Sequence, residues 1–308
     1  MRDAVLAWYR ASGRLLPFRA SSDPYAILVS EVMAQQTQID RVAEAWTRFI
    51  ARFPTIQTLA SASPADVLRQ WRGMGYDRRA LNLHRLARLV VAEYDGELPR
   101  DVAALQRLPG VGPYTARAVA ALAFGVAVAP VDTNVRRVIG RAGGLSAAAE
   151  ASGLRSAATD RAIQELADAS VPADDPGEWT QALMDIGATL CRPRAPRCVD
   201  CPAAAWCRFA LDGVAPSEPS GARAPGTRAP VARAAAPPAV PFEYTNRWLR
   251  GRILDRLRDA RPATWVEVGG TIGSHAEPAV RAAVAGLAAD GMLERDPSAP
   301  DRVRLRRA

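Results

Sequence analysis

Residues 108–116 read LPGVGPYTA, and a short distance along the chain residues 131–138 read VDTNVRRV. The first stretch contains Gly110 and Gly112, which allow a tight turn and a close approach of the backbone to a ligand. The amides after Gly112 begin a helix, where the helix dipole and the unpaired N–H groups favour an anion. A DNA phosphate fits such a site without base specificity, although an ordinary turn between two helices has the same pattern.

Apolar residues at helical spacing surround this turn from residue 1 to about residue 210, which indicates an all-α fold. Asp23-Pro24 is typical of a helix start, because Asp serves as the N-cap and Pro occupies the first turn. The only segment of this region with an apolar, strand-like pattern is Val126–Val131.

The composition changes at residue 213. Residues 213–240 are dense in Pro, Ala and Arg and contain no aromatic side chain, so they cannot bury a core and are predicted to be a linker. Residues 241–308 contain two helical patterns followed by Met292–Leu305, which is predicted to form two short strands around a turn. Helices followed by a terminal hairpin resemble a winged helix, a module that binds DNA or protein partners. We therefore predict a helical domain at 1–212, the linker, and a winged-helix-like unit at 241–308.

The formal net charge of the 308-residue chain is +8, which favours a polyanionic partner such as nucleic acid. The sequence contains no lysine, so all 40 basic residues are arginine and a lysine Schiff base is unavailable. No apolar run is long enough for a signal peptide or a membrane span. We therefore expect a cytoplasmic, nucleoid-associated protein with no membrane partner.

All four cysteines lie within residues 191–207, namely Cys191, Cys198, Cys201 and Cys207, with the spacing C-x6-C-x2-C-x5-C. In a reducing compartment, clustered cysteines are more often metal ligands than disulfides. A single 4Fe-4S cluster is the favoured interpretation. Zinc is the alternative, although its sites usually pair two short knuckles. The intervening arginines indicate a phosphate-binding loop and are Arg192, Arg194 and Arg197.

Two carboxylates are candidates for chemistry. Asp132 opens a helix, where it acts as an N-cap worth about 1 kcal/mol, as a carboxylate facing a cleft, or as both. Glu31 lies close to the apolar stripe of Ile27–Met33, where a lone Glu is usually paired or partly exposed. As a catalytic acid it needs an apolar pocket that raises its pKa.

Two polar or aromatic features are candidates for contacts with bases. Residues 35–38 read QQTQ, an uncharged patch that either hydrogen-bonds base edges or forms a polar helix end. Tyr76 lies in a predicted loop, where it either stacks on bases or is a half-buried aromatic.

The order of SEVMAQQTQ (30–38), LPGVGPYTA, VDTNVRRV and the four cysteines resembles the helix-hairpin-helix, iron-sulfur DNA glycosylases, which include endonuclease III and MutY proteins. The resemblance covers residues 1 to about 210 and implies two helical subdomains with a cleft between them. The stretch SEVMAQQTQ is similar to the MutY-type branch, which removes adenine opposite 8-oxoguanine or guanine. The resemblance therefore implies a monomer that acts on double-stranded DNA with a mismatched or oxidised base pair.

The resemblance also implies a role for each matching residue. Glu31 corresponds to the acid that protonates adenine N7, and Asp132 to the carboxylate that stabilises the sugar cation. This division of labour parallels two-carboxylate glycoside hydrolysis. The remaining implied roles are orientation of these groups by Tyr114 and Asn134, contact with the flipped adenine by Arg19 and Gln181, entry into the vacated helix by Gln36 and Tyr76, phosphate binding by Gly110, Val111 and Gly112, and a structural cluster on the four cysteines.

Three points set this sequence apart within the family. Endonuclease III places a catalytic lysine two residues after LPGVG, where this chain has Tyr114, so we expect no lysine-dependent strand cleavage. Phe18 replaces the usual Trp. Residues 241–308 are too few for the Nudix-like domain that reads 8-oxoguanine, which leaves the preference for 8-oxoguanine over guanine open.

Two other functions remain compatible with the sequence. A related branch removes thymine or uracil opposite guanine and also carries Tyr after the hairpin. A non-catalytic, cluster-bearing DNA-binding protein is the alternative of another class.

Overall fold

The structure, a computed structural model, describes residues 1–145, 157–212 and 240–307. The predicted linker therefore lies outside the described residues except for Val240. The described helices, in chain order, are α1 (Arg2–Ser12), α2 (Pro24–Ala34), α3 (Ile39–Arg52), α4 (Ile56–Ser61), α5 (Pro64–Gln70), α6 (Arg78–Glu93), α7 (Val102–Gln106), α8 (Pro113–Phe124), α9 (Thr133–Ala142), α10 (Ala157–Ser170), α11 (Pro176–Asp185), α12 (Arg208–Leu211), α13 (Asn246–Asp259) and α14 (Glu277–Ala289). The described strands are β1 (Val266–Glu267), β2 (Leu293–Asp296) and β3 (Ala299–Leu305).

The described residues divide into two compact units. The first comprises residues 1–35, 98–145 and 157–212, with α1, α2 and α7 to α12. The second comprises residues 36–97 and 240–307, with α3 to α6, α13, α14 and the three strands. The C-terminal residues therefore share a unit with α3 to α6. As expected from the helical spacing, the chain is mostly helical.

The core of the first unit lies around α2 and α11. The side chain of Asp23 accepts a hydrogen bond from the amide of Tyr25 at 3.1 Å, and Pro24 occupies the first turn, so α2 begins where the sequence predicts. Every residue of α2 from Tyr25 to Met33 is buried, and α2 packs against α8. Trp179 and Leu183 of α11 pack with Val135 and Ile139 of α9 in one apolar cluster.

The segment Val126–Val131 does not form a strand. Its backbone is bonded by side chains instead, because the amide of Ala129 donates to Asp168 at 2.9 Å and its carbonyl accepts from Arg117 at 2.8 Å. An apolar run therefore leads directly into the start of α9 without a strand partner.

The second unit contains a helical part and a winged-helix-like part. In the helical part, Phe49, Phe53 and Trp71 are buried and make edge-to-face contacts. The C-terminal part follows the order α13, β1, α14, β2, β3, and its antiparallel sheet has the strand order β1-β3-β2. This confirms the predicted terminal hairpin, and β1 adds a third strand to the small C-terminal sheet. None of the described helices is both long and apolar enough to cross a lipid bilayer.

Candidate active site

Glu31 is buried within α2, with only 9% of its surface exposed. The pKa of its carboxyl is raised to about 7, mainly by burial. A hydrogen bond from the Tyr114 hydroxyl lowers this pKa, and the nearby carboxylate of Asp132 raises it. Its Oε2 atom has no hydrogen-bond partner among the described residues. Since the usual value is 4.5, a substantial fraction of this carboxyl is still protonated at pH 7, as a general acid requires.

Tyr114 lies in the first turn of α8, directly after the glycine hairpin. Burial, followed by the nearby carboxylates of Glu31 and Asp132, raises the pKa of its hydroxyl well above the usual value. The hydroxyl therefore stays protonated and remains a hydrogen-bond donor to Glu31.

Asp132 is the N-cap of α9. Its Oδ1 accepts hydrogen bonds from the amides of Asn134 and Val135 at 2.9 and 2.7 Å, and its Oδ2 accepts from the side-chain amide of Asn134 at 3.1 Å. These bonds fix the orientation of the carboxylate. Since Asp132 also raises the pKa of Glu31, the two carboxyls lie within electrostatic reach of each other.

Arg137 connects Asn134 to the start of the cysteine loop. Its guanidinium donates to Oδ1 of Asn134 at 2.9 Å, to the carbonyl of Gly187 at 2.5 Å and to the carbonyl of Cys191 at 2.5 Å. Gly187 leaves no room for a side chain, because an added Cβ would lie 2.6 Å from Cβ of Asn134. The position of Asp132 is thus tied, through Asn134 and Arg137, to the backbone that carries the first cysteine.

Arg19 is held by a carboxylate that the sequence did not single out. Both terminal nitrogens of Arg19 bond to Asp185 at 2.8 Å, and the backbone and side chain of Arg14 bond to the same carboxylate. Burial raises the pKa of Asp185, but the bonds from Arg19 and Arg14 outweigh it and hold the pKa below its usual value. Arg19 is close enough to Glu31 to lower its pKa, and Oε1 of the nearby Gln181 accepts from the Tyr9 hydroxyl.

The two candidates for entering the DNA helix belong to the second unit. Gln36 and Tyr76 both have positive φ angles, of 54° and 47°, which side-chain-bearing residues rarely adopt. Arg79 connects their segments, because its Nη2 donates to Oγ1 of Thr37 and to the carbonyl of Gly75, each at 3.1 Å. Strain at both positions, held by neighbouring contacts, is a common property of functional residues.

The sequence predicts a glycine-dependent tight turn between α7 and α8, and Gly110 has the backbone conformation of such a turn. Gly110 has a φ of 80°, which only glycine adopts readily. The amide of Val111, which is predicted to contact a phosphate, donates to the carbonyl of Leu108 at 3.1 Å in this structure, and its side chain is buried. An added Cβ on Gly112 would meet nothing within 4 Å, so this part of the hairpin is open.

The four cysteines lie between the end of α11 and the start of α12, and a buried arginine contacts the first of them. The pKa of the Cys198 thiol is raised by burial and by its neighbours Cys207 and Cys191. The pKa of the Cys201 thiol is likewise raised by burial and by the other three cysteines. Arg141 of α9 is buried, and its Nη1 lies 3.5 Å from Sγ of Cys191.

The same Arg141 makes no ion pair with a carboxylate among the described residues, whereas it donates to the carbonyls of Arg192 and Pro193. A buried cation beside Cys191, the first of the four cysteines, is compatible with a negatively charged thiolate cluster. No group of three or more His, Cys, Asp or Glu side chains in the described ranges is arranged to hold a single metal ion.

The arginines of the cysteine loop are exposed. Nε of Arg192 donates to the carbonyl of Thr189 at 3.0 Å, and Arg197 pairs with Asp200 at 2.7 Å. Arg194 extends from the loop between them. An exposed ion pair of this kind contributes little to stability, so the guanidinium of Arg197 remains available to an anion.

Sequence reasoning missed Asp185, Arg137 and Arg141. The available signal for Asp185 was a carboxylate that directly follows the apolar residues 182–184 at the end of α11, where it is almost fully buried. Arg141 lies on α9 among residues that are otherwise apolar and buried, which is the same kind of signal.

Comparisons with known proteins agree with this geometry. Residues 29–162 match the family model of the HhH-GPD superfamily base excision DNA repair protein. The adenine DNA glycosylase of Mycolicibacterium smegmatis is 40% identical over 293 residues, which cover 94% of this chain and 91% of that protein. The chain belongs to the HhH-GPD superfamily, in its MutY-type branch.

Two other relatives match different fractions of this chain. The adenine DNA glycosylase of Mycobacterium tuberculosis (strain H37Rv) is 41% identical over 86% of this chain and 81% of its own length. The human adenine DNA glycosylase is 41% identical over 67% of this chain but only 39% of its own length. The long match with the mycobacterial proteins therefore reaches into the C-terminal part of the chain.

Solved structures resemble about two thirds of this chain. A thermostable thymine-DNA glycosylase is 32% identical, with a TM-score of 0.61 over 68% of this chain and 94% of that one. A trapped endonuclease III–DNA covalent intermediate is 25% identical, with a TM-score of 0.55 over 68% of this chain and 95% of that one.

Proposed function

We propose that this chain is a monofunctional adenine DNA glycosylase, which hydrolyses the N-glycosidic bond of adenine opposite 8-oxoguanine or guanine. The relatives that match most of its length are named adenine DNA glycosylases. The observation that carries the proposal is Glu31, a buried carboxyl with a pKa of about 7, an unpartnered Oε2 and Asp132 within electrostatic reach.

The chemistry requires an acid and a second carboxylate. The target adenine first leaves the base stack, at a cost of a few kcal/mol that is lower in a mismatch. Glu31 then gives its proton to adenine N7 while the bond between N9 and C1′ breaks, and the electron pair leaves with the base. Asp132 stabilises the positive charge on the sugar. The Glu31 carboxylate then takes a proton from the water whose oxygen bonds to C1′, which regenerates the acid.

Other residues orient these groups. Tyr114 holds one oxygen of Glu31 and leaves Oε2 to face the substrate. Asn134 fixes the carboxylate of Asp132, and Arg19 and Gln181 contact the extruded adenine. Because the chain contains no lysine, no lysine Schiff base forms and the strand stays intact until alkali cleaves the abasic site.

DNA phosphates are bound by the hairpin and by the cysteine loop. Cys191, Cys198, Cys201 and Cys207 would hold a 4Fe-4S cluster, which when bound supplies a rigid support for the loop rather than a chemical step. Gly110 and Gly112 approach one phosphate, and the exposed loop arginines approach others. The enzyme acts as a monomer on double-stranded DNA, in the cytoplasm at the nucleoid.

A thymine or uracil glycosylase is the second candidate, because one of the structural relatives is a thymine-DNA glycosylase. Base excision from four labelled duplexes tests both. We expect release of adenine opposite 8-oxoguanine and opposite guanine, with strand breaks only after alkali. Release of thymine or uracil opposite guanine instead would favour the second candidate, and no release from any duplex would support the non-catalytic alternative.

A further inference from the structure

The side-chain amide of Gln181 is held by one hydrogen bond. Gln181 lies in α11, and its Oε1 accepts from the hydroxyl of Tyr9 in α1. Among the described residues the amide makes no other hydrogen bond, so both N–H donors of its Nε2 lack a protein partner. Since Gln181 is only half-buried, these donors are open to a ligand.

The direction of the bond between Tyr9 and Gln181 follows from a second neighbour of the hydroxyl. The guanidinium of Arg19 lies 5.7 Å from the centre of the Tyr9 ring. Burial raises the pKa of the Tyr9 hydroxyl above its usual value, although the charge of Arg19 and a hydrogen bond from it lower that pKa. The hydroxyl therefore keeps its proton. Because a guanidinium has only donors, the hydroxyl oxygen accepts from Arg19 and gives its own proton to Gln181.

Arg19 is fixed in turn by a carboxylate on the same face of α11 as Gln181. Asp185 accepts from both terminal nitrogens of Arg19 at 2.8 Å, and its side chain is 1% exposed. Gln181 and Asp185 are four residues apart, which places them one helical turn from each other. The pKa of Asp185 lies below its usual value, so the carboxylate is ionised near neutral pH and has only acceptors. The hydrogen bonds from Arg19 to Asp185, and from Arg19 through Tyr9 to Gln181, therefore have one possible direction.

The network belongs to the surroundings of the candidate acid. Tyr9, Arg19 and Gln181 all lie in the first unit together with Glu31, and Arg19 is within electrostatic reach of the Glu31 carboxyl. If the amide of Gln181 were reversed, its Oε1 would face the ligand and repel an acceptor there. In the orientation that Tyr9 imposes, the ligand meets donors instead.

We propose that Tyr9 is a positioning residue for base selection, which holds the NH₂ group of Gln181 toward the extruded base. This rests on the proposed function, because a base reaches the pocket only where the enzyme extrudes it. With Oε1 occupied by Tyr9, Gln181 offers only donors to the base. The pocket therefore selects a base edge with a ring-nitrogen acceptor, such as N1 or N3 of adenine, and rejects an edge with an N–H, such as N1 of hypoxanthine.

The substitution Tyr9→Phe removes the hydroxyl and keeps the ring, which packs against the apolar cluster of the first unit. The amide of Gln181 is then free to turn. We expect the dissociation constant for a duplex with non-hydrolysable 2′-fluoro-2′-deoxyadenosine opposite 8-oxoguanine to rise about three- to tenfold, the effect of one ordinary hydrogen bond. The same duplex with a stable abasic analogue in place of the adenosine offers no base to Gln181, so its binding should change about twofold or less.

A double-mutant cycle shows whether Tyr9 acts through Gln181. Gln181→Ala leaves no amide to orient, so adding Tyr9→Phe to it should weaken binding to the adenine duplex no further. Tyr94→Phe is the matched control, because Tyr94 is likewise half-buried but belongs to the other unit. It should leave binding to both duplexes unchanged.

A second control separates orientation of Gln181 from the packing of α1 on α11. Arg10 follows Tyr9 in α1 and pairs with Glu178 of α11 at 2.6 Å. Arg10→Ala therefore removes a contact between the same two helices without touching Gln181. It should affect the adenine and abasic duplexes equally, whereas Tyr9→Phe should affect the adenine duplex alone.

Single-turnover excision gives a second readout of base selection. The wild type should release adenine faster than hypoxanthine, each placed opposite 8-oxoguanine. Tyr9→Phe should reduce the ratio of these two rates about three- to tenfold, because the turned amide offers its carbonyl to the N–H of hypoxanthine. Arg10→Ala should leave the ratio unchanged.

Equal losses from Tyr9→Phe on the two duplexes, or equal losses with and without the amide of Gln181, would overturn the positioning role. An unchanged ratio of adenine to hypoxanthine release in Tyr9→Phe would do the same. A wild-type chain that releases no adenine from any duplex would overturn the proposed function itself. The two failures are therefore distinguishable.

Discussion

The substitution Glu31→Gln should stabilise the protein while it abolishes activity. Glu31 has a higher pKa in the folded chain, about 7, than its usual value of 4.5 in an unfolded chain. The folded state therefore binds this proton more tightly, and stability falls as the pH rises from about 4.5 through about 7. The difference corresponds to about 3 kcal/mol at 1.36 kcal/mol per pKa unit. A neutral glutamine avoids this cost and keeps an acceptor for Tyr114.

Thermal unfolding at a series of pH values measures the effect. At pH 8 we expect Glu31→Gln to melt about 6–12 °C above the wild type, and the difference to vanish near pH 4.5. Glu44→Gln, an exposed substitution on α3, is the control and should change neither the melting temperature at pH 8 nor that at pH 4.5. A melting temperature of Glu31→Gln below that of the wild type at pH 8, or a difference that does not shrink as the pH falls, would contradict a raised pKa of Glu31 in the folded chain.

Three further substitutions probe the groups around Glu31. Asp132→Asn should lower single-turnover adenine excision about 100-fold or more, with an unchanged melting temperature because Asn also caps helices, and a rate near that of the wild type would exclude Asp132 from the chemistry. In Arg137→Lys a single amino group cannot bond Asn134, Gly187 and Cys191 together, so the rate of excision should fall about tenfold while the iron content per chain stays constant. Loss of iron would indicate that Arg137 has a purely structural role. Tyr114→Lys should make the enzyme trappable on DNA by borohydride, as the lysine-free wild type is not, and trapping of neither would show that this position does not reach C1′.

The helical fold and the Asp132 cap were predictable from the sequence because they depend on local patterns, whereas the role of Glu31 was implied only by the family resemblance. The Asp23-Pro24 start of α2, the glycines of the hairpin and the Asp132 cap each involve residues a few positions apart. The hydrogen bond from Tyr114 to Glu31 joins residues 83 positions apart and is seen only in the structure.

The partners that hold these residues were not predictable, because they are distant in sequence. Asp185 holds Arg19 across 166 positions, and Arg247 holds Tyr76 across 171. A single sequence does not reveal which of many arginines meets a given carboxylate or ring. The segment Val126–Val131 departs from a strand for a similar reason, since side chains from α8 and α10 bond its backbone.

In the proposed mechanism a buried, protonated Glu31 drives removal of adenine, and the most direct test is the single-turnover rate of adenine release between pH 5 and pH 9. The substrate is a duplex with adenine opposite 8-oxoguanine. We predict a rate that falls as the pH rises through about 7, and a loss of about 100-fold or more in Glu31→Gln with no remaining pH dependence in this range. A flat profile for the wild type, or near-normal excision by Glu31→Gln, would contradict the account.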